Sequence, residues 1–184
     1  SPWGYETINR WNAKAIDPNR SFTKDSTCEE SKYLMDFLSS LGLDFTLHVD
    51  LHETTDTDNT VFRPALAARN GKHVDEWEIP DGFYLVGDVH KQVFDFQQSI
   101  IKEVKKVTHI APCDENNKII GEAITQEGVI NYATKELGLC AGITNAPYCT
   151  TTEVYPDSPK VTAQNCIDAQ VVVIKTALDY ITKL

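Results

Sequence analysis

The sequence predicts one α/β domain in which a largely parallel sheet packs under helices. Its 184 residues suit a single domain of ordinary size. Hydrophobic residues make up 41% of the chain, which is enough to build a sizeable core. Strand-like and helix-like apolar patterns alternate along the sequence, and this alternation is typical of α/β folds with parallel strands. In such sheets, ligands bind near the carboxyl ends of the strands.

The first half of the chain predicts one helix followed by one strand. Residues 1–22 are polar and rich in turn-forming residues, which is unusual for the start of a domain. Ser26 and Glu29 have the spacing of a capping box and predict the start of a helix, and Gly42 predicts its end. Residues 43–51 alternate in polarity and predict a buried strand. The apolar face of the predicted helix consists of Tyr33, Leu34, Phe37, Leu38 and Leu41.

The second half of the chain predicts further strands and helices. Residues 63–80 show no regular pattern and predict irregular structure. The predicted elements after them are a strand at 82–88, a helix at 90–107, a helix at 128–139, a strand at 149–155 and a closing helix at 162–183. The closing helix carries an apolar stripe at helical spacing, formed by Ile167, Val171, Ile174, Leu178 and Ile181.

Charge and composition narrow the possible functions. The net charge of −10 and the pI near 4.9 argue against binding to nucleic acid or to anionic membranes, both of which need clustered Lys and Arg. No apolar run approaches the roughly 20 residues that span a bilayer, and no charged-then-apolar leader opens the sequence. We therefore expect neither a nucleic-acid partner nor a membrane partner.

The five cysteines are scattered and form no C-x-x-C pair, which excludes a structural zinc knuckle. Cys140 and Cys149 could form a disulfide in an oxidising compartment. Free thiols in a reducing compartment such as the cytoplasm are the interpretation that this pattern favours.

Two predicted strands end in residues that could carry chemistry. His52 leads from a strand into a loop rich in acceptor groups, where an imidazole is either a metal ligand or a structural residue. His48 shares the strand face of His52 and is interpreted as a half-buried sheet residue. Glu153 stands in an otherwise uncharged strand, where a buried carboxylate is costly. It is therefore either a member of an ion pair or a catalytic base with a raised pKa.

A third group of candidates lies near the start of the chain. Arg20 follows Asn19, and an arginine next to an asparagine suits bidentate recognition of a carboxylate. Arg10 lies nearby, and a compact cationic site would offset the net negative charge when an anionic substrate approaches. The alternative is a set of surface arginines beside an Asp-Pro turn.

The order of these segments resembles the zinc carboxypeptidase family, meaning the carboxypeptidase A-like metallopeptidases and their acyl-amino-acid hydrolase relatives. The resemblance covers essentially the whole chain but only the later part of the family's domain. The segments that carry it are Pro2-Trp3-Gly4-Tyr5, Arg10-Trp11-Asn12, Asp17-Pro18-Asn19-Arg20 within residues 15–22, Val49-Asp50-Leu51-His52, Asn131-Tyr132 ahead of Glu136-Leu137-Gly138, and Thr151-Thr152-Glu153.

The resemblance implies a mixed, mostly parallel sheet flanked by helices on both faces, a Zn²⁺ cofactor and roles for six residues. The match at Tyr132 needs a local shift of the alignment. The implied roles are His52 as a zinc ligand, Glu153 as the catalytic base, Arg10 as the group that stabilises the oxyanion, Asn19 and Arg20 as the clamp for the substrate's terminal carboxylate, and Tyr132 as the cap over the substrate.

The sequence departs from the family at the other two zinc ligands. The family carries them in a His-x-x-Glu motif before the Arg-x-Asn segment, and no such motif precedes Arg10 here. One His-x-x-Glu occurs later, from His73 to Glu76, in what reads as a surface loop, and we interpret it as unrelated to the site. We therefore expect residues 1–184 to be the carboxyl-terminal part of one catalytic domain. A preceding segment or a separate chain would then supply the missing ligands.

The resemblance implies a zinc metallocarboxypeptidase that hydrolyses the C-terminal amide bond of peptides. One alternative is an N-acyl-amino-acid amidohydrolase of the aspartoacylase or succinylglutamate desuccinylase type. The other is a catalytically silent binding module on the same fold. In each case the expected partner is a peptide or an N-acyl amino acid with a free carboxylate.

Overall fold

The computed structural model describes residues 1–73 and 78–183, which form eleven helices and strands. In chain order they are α1 (Pro2–Thr7), α2 (Glu29–Leu41), β1 (Leu47–Glu53), α3 (Arg63–Asn70), β2 (Tyr84–Asp88), α4 (Phe94–Val104), β3 (Lys118–Ile119), β4 (Glu122–Ala123), β5 (Val129–Tyr132), β6 (Tyr148–Val154) and α5 (Ala163–Ile181). A 3-10 turn (Pro18–Arg20) and a π-helical turn (Asp58–Phe62) lie between them, and a second 3-10 turn spans Cys140–Gly142.

The main sheet has four strands in the order β1-β6-β2-β5. β1 pairs with β6 in parallel and β2 pairs with β5 in parallel, whereas β6 and β2 are antiparallel. β1 is therefore an edge strand, and β6 lies beside it inside the sheet. This mixed, mostly parallel arrangement confirms the predicted α/β fold class.

Helices α4 and α5 pack together on one face of the sheet and build the larger core there. Each fully buried apolar side chain in such a cluster stabilises the fold by about 1.5–3 kcal/mol relative to its exposed state. The residues of α4 in this cluster are Phe96, Ile100, Ile101 and Val104, those of α5 are Ala169, Val173 and Ala177, and those of the sheet region are Phe83, Leu85, Val129 and Val154.

The opposite face of the sheet is covered at one end by residues 110–124, which include the β3–β4 hairpin. Tyr84, Val86 and Ile130 from the sheet pack there against Ile119 and its neighbours. The remainder of this face, at the ends of β1 and β6, borders a cavity. The candidate site lies in that space.

The predicted helix at 128–139 is wrong. Val129 to Tyr132 form strand β5, which pairs with β2, and turns follow it up to Gly138. The apolar residues Val129 and Ile130 are β-branched, a class that favours strands, and both are fully buried. A strand that is buried on both faces lacks the alternation that would distinguish it from a short helix.

The predicted irregular segment at 63–80 is also wrong in its first part. Residues 63–70 form α3, which has Pro64 in its first turn and ends at Gly71 with a φ of 60°. The residues between are mostly Ala, Leu and Arg, which are strong helix formers. The composition of this segment therefore carried a helix signal that its weak periodicity concealed.

Two predicted apolar helix faces point outward. α2 begins at Glu29, and its N-cap residue, Cys28, makes no capping hydrogen bond with its side chain. The predicted capping box of Ser26 and Glu29 is therefore wrong, and the Ser26 hydroxyl accepts a hydrogen bond from the Cys28 N–H instead. The side chains on its predicted apolar face are largely exposed; Phe37, for example, is 59% exposed. On α5 three residues of the apolar stripe, Ile167, Val171 and Leu178, are exposed.

No helix among the described residues is long and apolar enough to cross a membrane. All five cysteines are free thiols, including Cys140 and Cys149. Burial raises the pKa of both of these thiols to about 12, so both stay protonated at neutral pH.

Candidate active site

The six residues that the sequence singled out line one cavity of about 240 Å³. The parallel register of β1 and β6 places His52 directly beside Glu153 at the carboxyl ends of both strands. Arg10, Asn19 and Arg20 reach the same cavity from the turn-rich segment before α2, and Tyr132 reaches it from the end of β5. The structure thus brings together residues that are separated by up to 143 positions in the chain.

His52 is oriented by Asp50, which lies two residues earlier on the same face of β1. The Nε2 atom of His52 is 3.1 Å from Oδ2 of Asp50. A carboxylate only accepts, so the Nε2–H group donates a hydrogen bond to Asp50. When the imidazole is in its neutral form, its lone pair is therefore on Nδ1. Burial acts to lower the pKa of His52, but the hydrogen bond and charge of Asp50 outweigh it and raise the pKa above its ordinary value.

Glu153 is a carboxyl group with a proton affinity suited to catalysis. Burial raises the pKa of Glu153 to about 7, although the His52 charge and a hydrogen bond from Thr54 act to lower it. Thr54 Oγ1 donates to Oε2 of Glu153 at 3.0 Å. A carboxyl group with a pKa near 7 can both accept and return a proton at neutral pH.

Arg10 is held by two carboxylates on opposite sides. Its Nε donates to Oδ2 of Asp17 at 3.1 Å, and its Nη1 donates to Oδ1 of Asp58 at 3.1 Å. The guanidinium carbon also lies 4.0 Å from the centre of the Phe62 ring. Asp58 and Phe62 come from the π-helical turn, so this turn fixes the position of Arg10 at the cavity wall.

Asn19 and Arg20 form a second polar wall. Asp17 caps their 3-10 turn by accepting a hydrogen bond from the Asn19 N–H at 3.0 Å. The side-chain oxygen of Asn19 accepts from the Cys140 N–H at 3.0 Å, and Arg20 Nη1 donates to the Asn19 carbonyl at 2.9 Å. Within the described part of the chain, no carboxylate lies within salt-bridge distance of Arg20.

The electrostatics of Arg20 favour an incoming anion. Desolvation is the main cause that lowers the pKa of Arg20, and the nearby positive charge of Arg10 acts in the same direction. Arg20 is nevertheless exposed at the cavity wall. A guanidinium that has no carboxylate partner among the described residues can there bind an incoming carboxylate or similar anion.

Tyr132 is the last residue of β5 and pairs in the sheet with Asp88. Burial raises the pKa of Tyr132 to about 12, so its hydroxyl keeps its proton at neutral pH and can donate. Because its backbone belongs to the sheet, any closure over a substrate would come from rotation of the side chain.

The described residues do not by themselves form a complete metal site. Among residues 1–73 and 78–183, no group of three or more His, Cys, Asp and Glu side chains could hold a metal ion. His52 fits a single zinc ligand, because Asp50 fixes its tautomer in the way that carboxylates orient metal-binding histidines. The His73–Glu76 motif lies partly outside the described residues.

Comparison with known proteins gives a likeness in fold. No family model matches the sequence, and no curated protein matches it. A "putative metallopeptidase" from Shewanella denitrificans OS217 superposes with a TM-score of 0.63 at 14% identity, over 98% of this chain and 58% of the other. A second structure of the same description, from Shewanella amazonensis SB2B, has a TM-score of 0.57 at 15% identity, over 98% of this chain and 60% of the other.

The chain has a metallopeptidase-like fold. It spans about three fifths of the length of these two structures, so they contain further polypeptide that has no counterpart here. At such low identity the likeness concerns the fold and leaves the roles of individual residues to be argued from the cavity itself.

Sequence reasoning missed four residues that shape the site. Asp58 follows no motif and reaches Arg10 only through the π-helical turn. Asp50 carried a usable signal, because residues two apart on a strand share a face. Thr54 and Tyr84 contact Glu153 or each other only through strand register, which the sequence alone does not reveal.

Proposed function

We propose that this chain forms part of the active site of a zinc-dependent carboxypeptidase, which hydrolyses the C-terminal amide bond of peptides. The observation that carries the proposal is the pairing of His52 with Glu153 at adjacent strand ends, in a cavity that also holds Arg20 without a carboxylate partner among the described residues. A metal-ligand candidate, a base and an anion clamp are the three groups that such a reaction needs.

Each residue would contribute a separate part of the work. Arg20 and Asn19 bind the terminal carboxylate of the substrate and so position its last amide bond. Arg10, already held by Asp17 and Asp58, presents positive charge where the carbonyl oxygen becomes negative. Glu153 accepts a proton from the attacking water and returns it to the leaving amine. Zn²⁺, when bound, lowers the pKa of water and polarises a carbonyl group.

The size of the cavity supports a small target. A cavity of about 240 Å³ lies below the roughly 300–1,000 Å³ of most sites for drug-sized ligands. It suits the terminal residue of a peptide better than an extended peptide segment. The same size favours the second candidate, hydrolysis of a small N-acyl amino acid by the same groups. A silent binding module would need the arginine clamp, but it would have no use for a glutamate whose pKa is raised to about 7.

We further propose that a companion polypeptide segment supplies the remaining zinc ligands, either as a preceding part of the same protein or as a separate chain. His52 lies on the edge strand β1, so a strand added to β1 would end beside it. Leu51 of this edge strand is 48% exposed, and exposed apolar side chains also occur on α2 and α5, among them Phe37 and Val171. The additional polypeptide in the two similar structures is long enough to form such a segment.

The test assays the complete protein, meaning residues 1–184 together with whatever polypeptide is encoded directly upstream. Substrates would be N-blocked dipeptides on one side and N-acetyl or N-succinyl amino acids on the other. Turnover of blocked dipeptides that is lost on zinc chelation would support the carboxypeptidase. Turnover confined to acyl amino acids would support the second candidate. A metal-free protein that binds these carboxylates without hydrolysing them would contradict both.

A further inference from the structure

We propose that Thr54, supported by Tyr84, is a positioning residue that fixes the carboxylate of Glu153 for proton transfer. The inference rests on the proposed hydrolase function and adds two residues to it. Both lie at the floor of the cavity, where they are 6% and 1% exposed. Neither belongs to the segments that carried the sequence resemblance.

Glu153 is held from the strands on both sides of β6. Just beyond the end of β1, the Thr54 N–H donates to the Val154 carbonyl at 2.9 Å. On the other side, Tyr84 of β2 is the register partner of Glu153 in the antiparallel pair. Thr54 Oγ1 then lies 3.0 Å from Glu153 Oε2 and 3.0 Å from Tyr84 Oη. Backbone pairing thus determines where the two hydroxyl groups stand.

The direction of these hydrogen bonds follows from the chemistry of the groups. An ionised carboxylate only accepts, so Thr54 donates its single hydroxyl proton to Glu153. The Thr54 oxygen then accepts a hydrogen bond from the Tyr84 hydroxyl, which is the first donor in this series of two hydrogen bonds. Burial raises the pKa of Tyr84 well above its ordinary value, so the phenol stays protonated and can donate a hydrogen bond.

This arrangement assigns different tasks to the two oxygens of Glu153. Oε2 is occupied by Thr54, whereas Oε1 accepts no hydrogen bond from the described residues. Because Glu153 lines the cavity, Oε1 is the oxygen that can take a proton from water there. Threonine suits the task since its β-branched side chain has few rotamers and keeps the hydroxyl aimed at Oε2.

The kinetic test compares Thr54→Val with Thr54→Ser in the complete protein. Valine keeps the shape of threonine but cannot donate, so the carboxylate is free to turn. Misplacing a reacting group by about 1 Å can cost about a hundredfold, so we expect kcat to fall about ten- to a hundredfold with KM nearly unchanged. Thr54→Ser should restore most of the rate, and Tyr84→Phe should lower kcat less than Thr54→Val does. An unchanged kcat in Thr54→Val would overturn the proposal.

Thr152→Val is the matched control. Thr152 lies in β6 next to Glu153 and is fully buried, and its hydroxyl has no hydrogen-bond partner among the described residues. The same substitution there removes a buried hydroxyl without removing a contact, so kcat and KM should stay unchanged. A loss of kcat in Thr152→Val equal to that in Thr54→Val would assign the effect to local packing and refute the positioning role. Thermal unfolding of each variant shows that it is folded.

A second measurement does not depend on turnover. In nuclear magnetic resonance spectra, the Thr54 hydroxyl proton should be protected from solvent exchange, and the protection should disappear in Glu153→Ala. Persistent protection in Glu153→Ala, or none in the wild type, would overturn the inference. If the wild type hydrolyses none of the substrates, the proposed function fails, and this measurement still decides whether Thr54 holds Glu153.

Discussion

The two faces of the sheet bury different kinds of side chain. Under α4 and α5 the buried side chains are almost all apolar, and packing determines their positions. On the other face, the ends of β1 and β6 gather Arg10, Asp50, His52 and Glu153 around one cavity. Partly burying charged groups costs free energy even when they are paired. The helix-covered face therefore accounts for stability, whereas the placement of charge on the cavity face needs a functional explanation.

The largest expected effect on stability is in the helix-covered core. Phe96 is 1% exposed and packs against the rings of Tyr148 and Tyr180 at 5.3 and 5.5 Å between centroids. Phe96→Ala should lower the free energy of unfolding by about 3–5 kcal/mol, measured by urea denaturation. Phe94→Ala on the same helix is the control, because Phe94 is 47% exposed and its loss should change little. Equal losses in both variants would contradict the assignment of the core.

Glu153→Gln should have the opposite effect on stability. The pKa of Glu153 is raised from 4.5 to about 7, so the folded chain holds a proton in this window that the unfolded chain releases. The stability of the wild type therefore falls as the pH rises from about 4.5 to about 7, by up to about 3 kcal/mol. At pH 8 the Gln variant should unfold at a higher temperature than the wild type, although it should have lost its activity.

Calorimetric unfolding of wild type and Glu153→Gln between pH 4 and 8 checks this prediction. Glu115→Gln is the control, since Glu115 is exposed and should leave the pH profile unchanged. If the two curves of stability against pH run parallel across the whole range, the ionisation of Glu153 does not lower the stability of the fold.

Arg20→Ala should weaken the binding of carboxylate substrates. Hydrogen bonds to charged groups contribute about 1.5–3 kcal/mol, so KM should rise about ten- to a hundredfold while kcat changes less. Arg20→Lys should fall between the wild type and the alanine variant, because lysine keeps the charge but loses the bidentate geometry. Lys118→Ala, which removes an exposed positive charge from β3, is the control. A KM that Arg20→Ala leaves unchanged would remove Arg20 from the clamp.

The smallest effects distinguish the two sides of α5. Val173 is fully buried against the sheet, whereas Val171 is 43% exposed. Val173→Ala should lower the free energy of unfolding by about 2 kcal/mol, and Val171→Ala should stay within about 0.5 kcal/mol. Urea denaturation of residues 1–184 measures both. In the complete protein, a larger loss in Val171→Ala than in the isolated chain would support a companion segment that covers this side.

Strands β1, β2 and β6 and the candidate site residues on them were predictable because their sequence signals are local. Runs of apolar and β-branched residues located β1, β2 and β6 to within a few residues, and His52 and Glu153 stood out against their surroundings. The order of short motifs then indicated that His52, Glu153 and Arg20 lie together, and the cavity contains all three.

The remaining features depend on the tertiary structure. The core face of α5 could not be read from hydrophobicity, because the helix is apolar on most sides and uses Ala169 and Ala177 where it approaches the sheet. Thr54 meets Glu153 through strand register, and such pairings across 99 positions leave no trace in one sequence.

The metal content of the complete protein shows whether His52 is a zinc ligand. We expect the wild type and Glu153→Gln, purified without chelator, to carry stoichiometric zinc by elemental analysis, whereas His52→Ala should lose most of it. Loss of a ligand removes a bond to the metal, but loss of the neighbouring base leaves the metal bound. Zinc that stays at wild-type level in His52→Ala would mean that the metal is held away from the ends of β1 and β6, and that His52 is not a ligand.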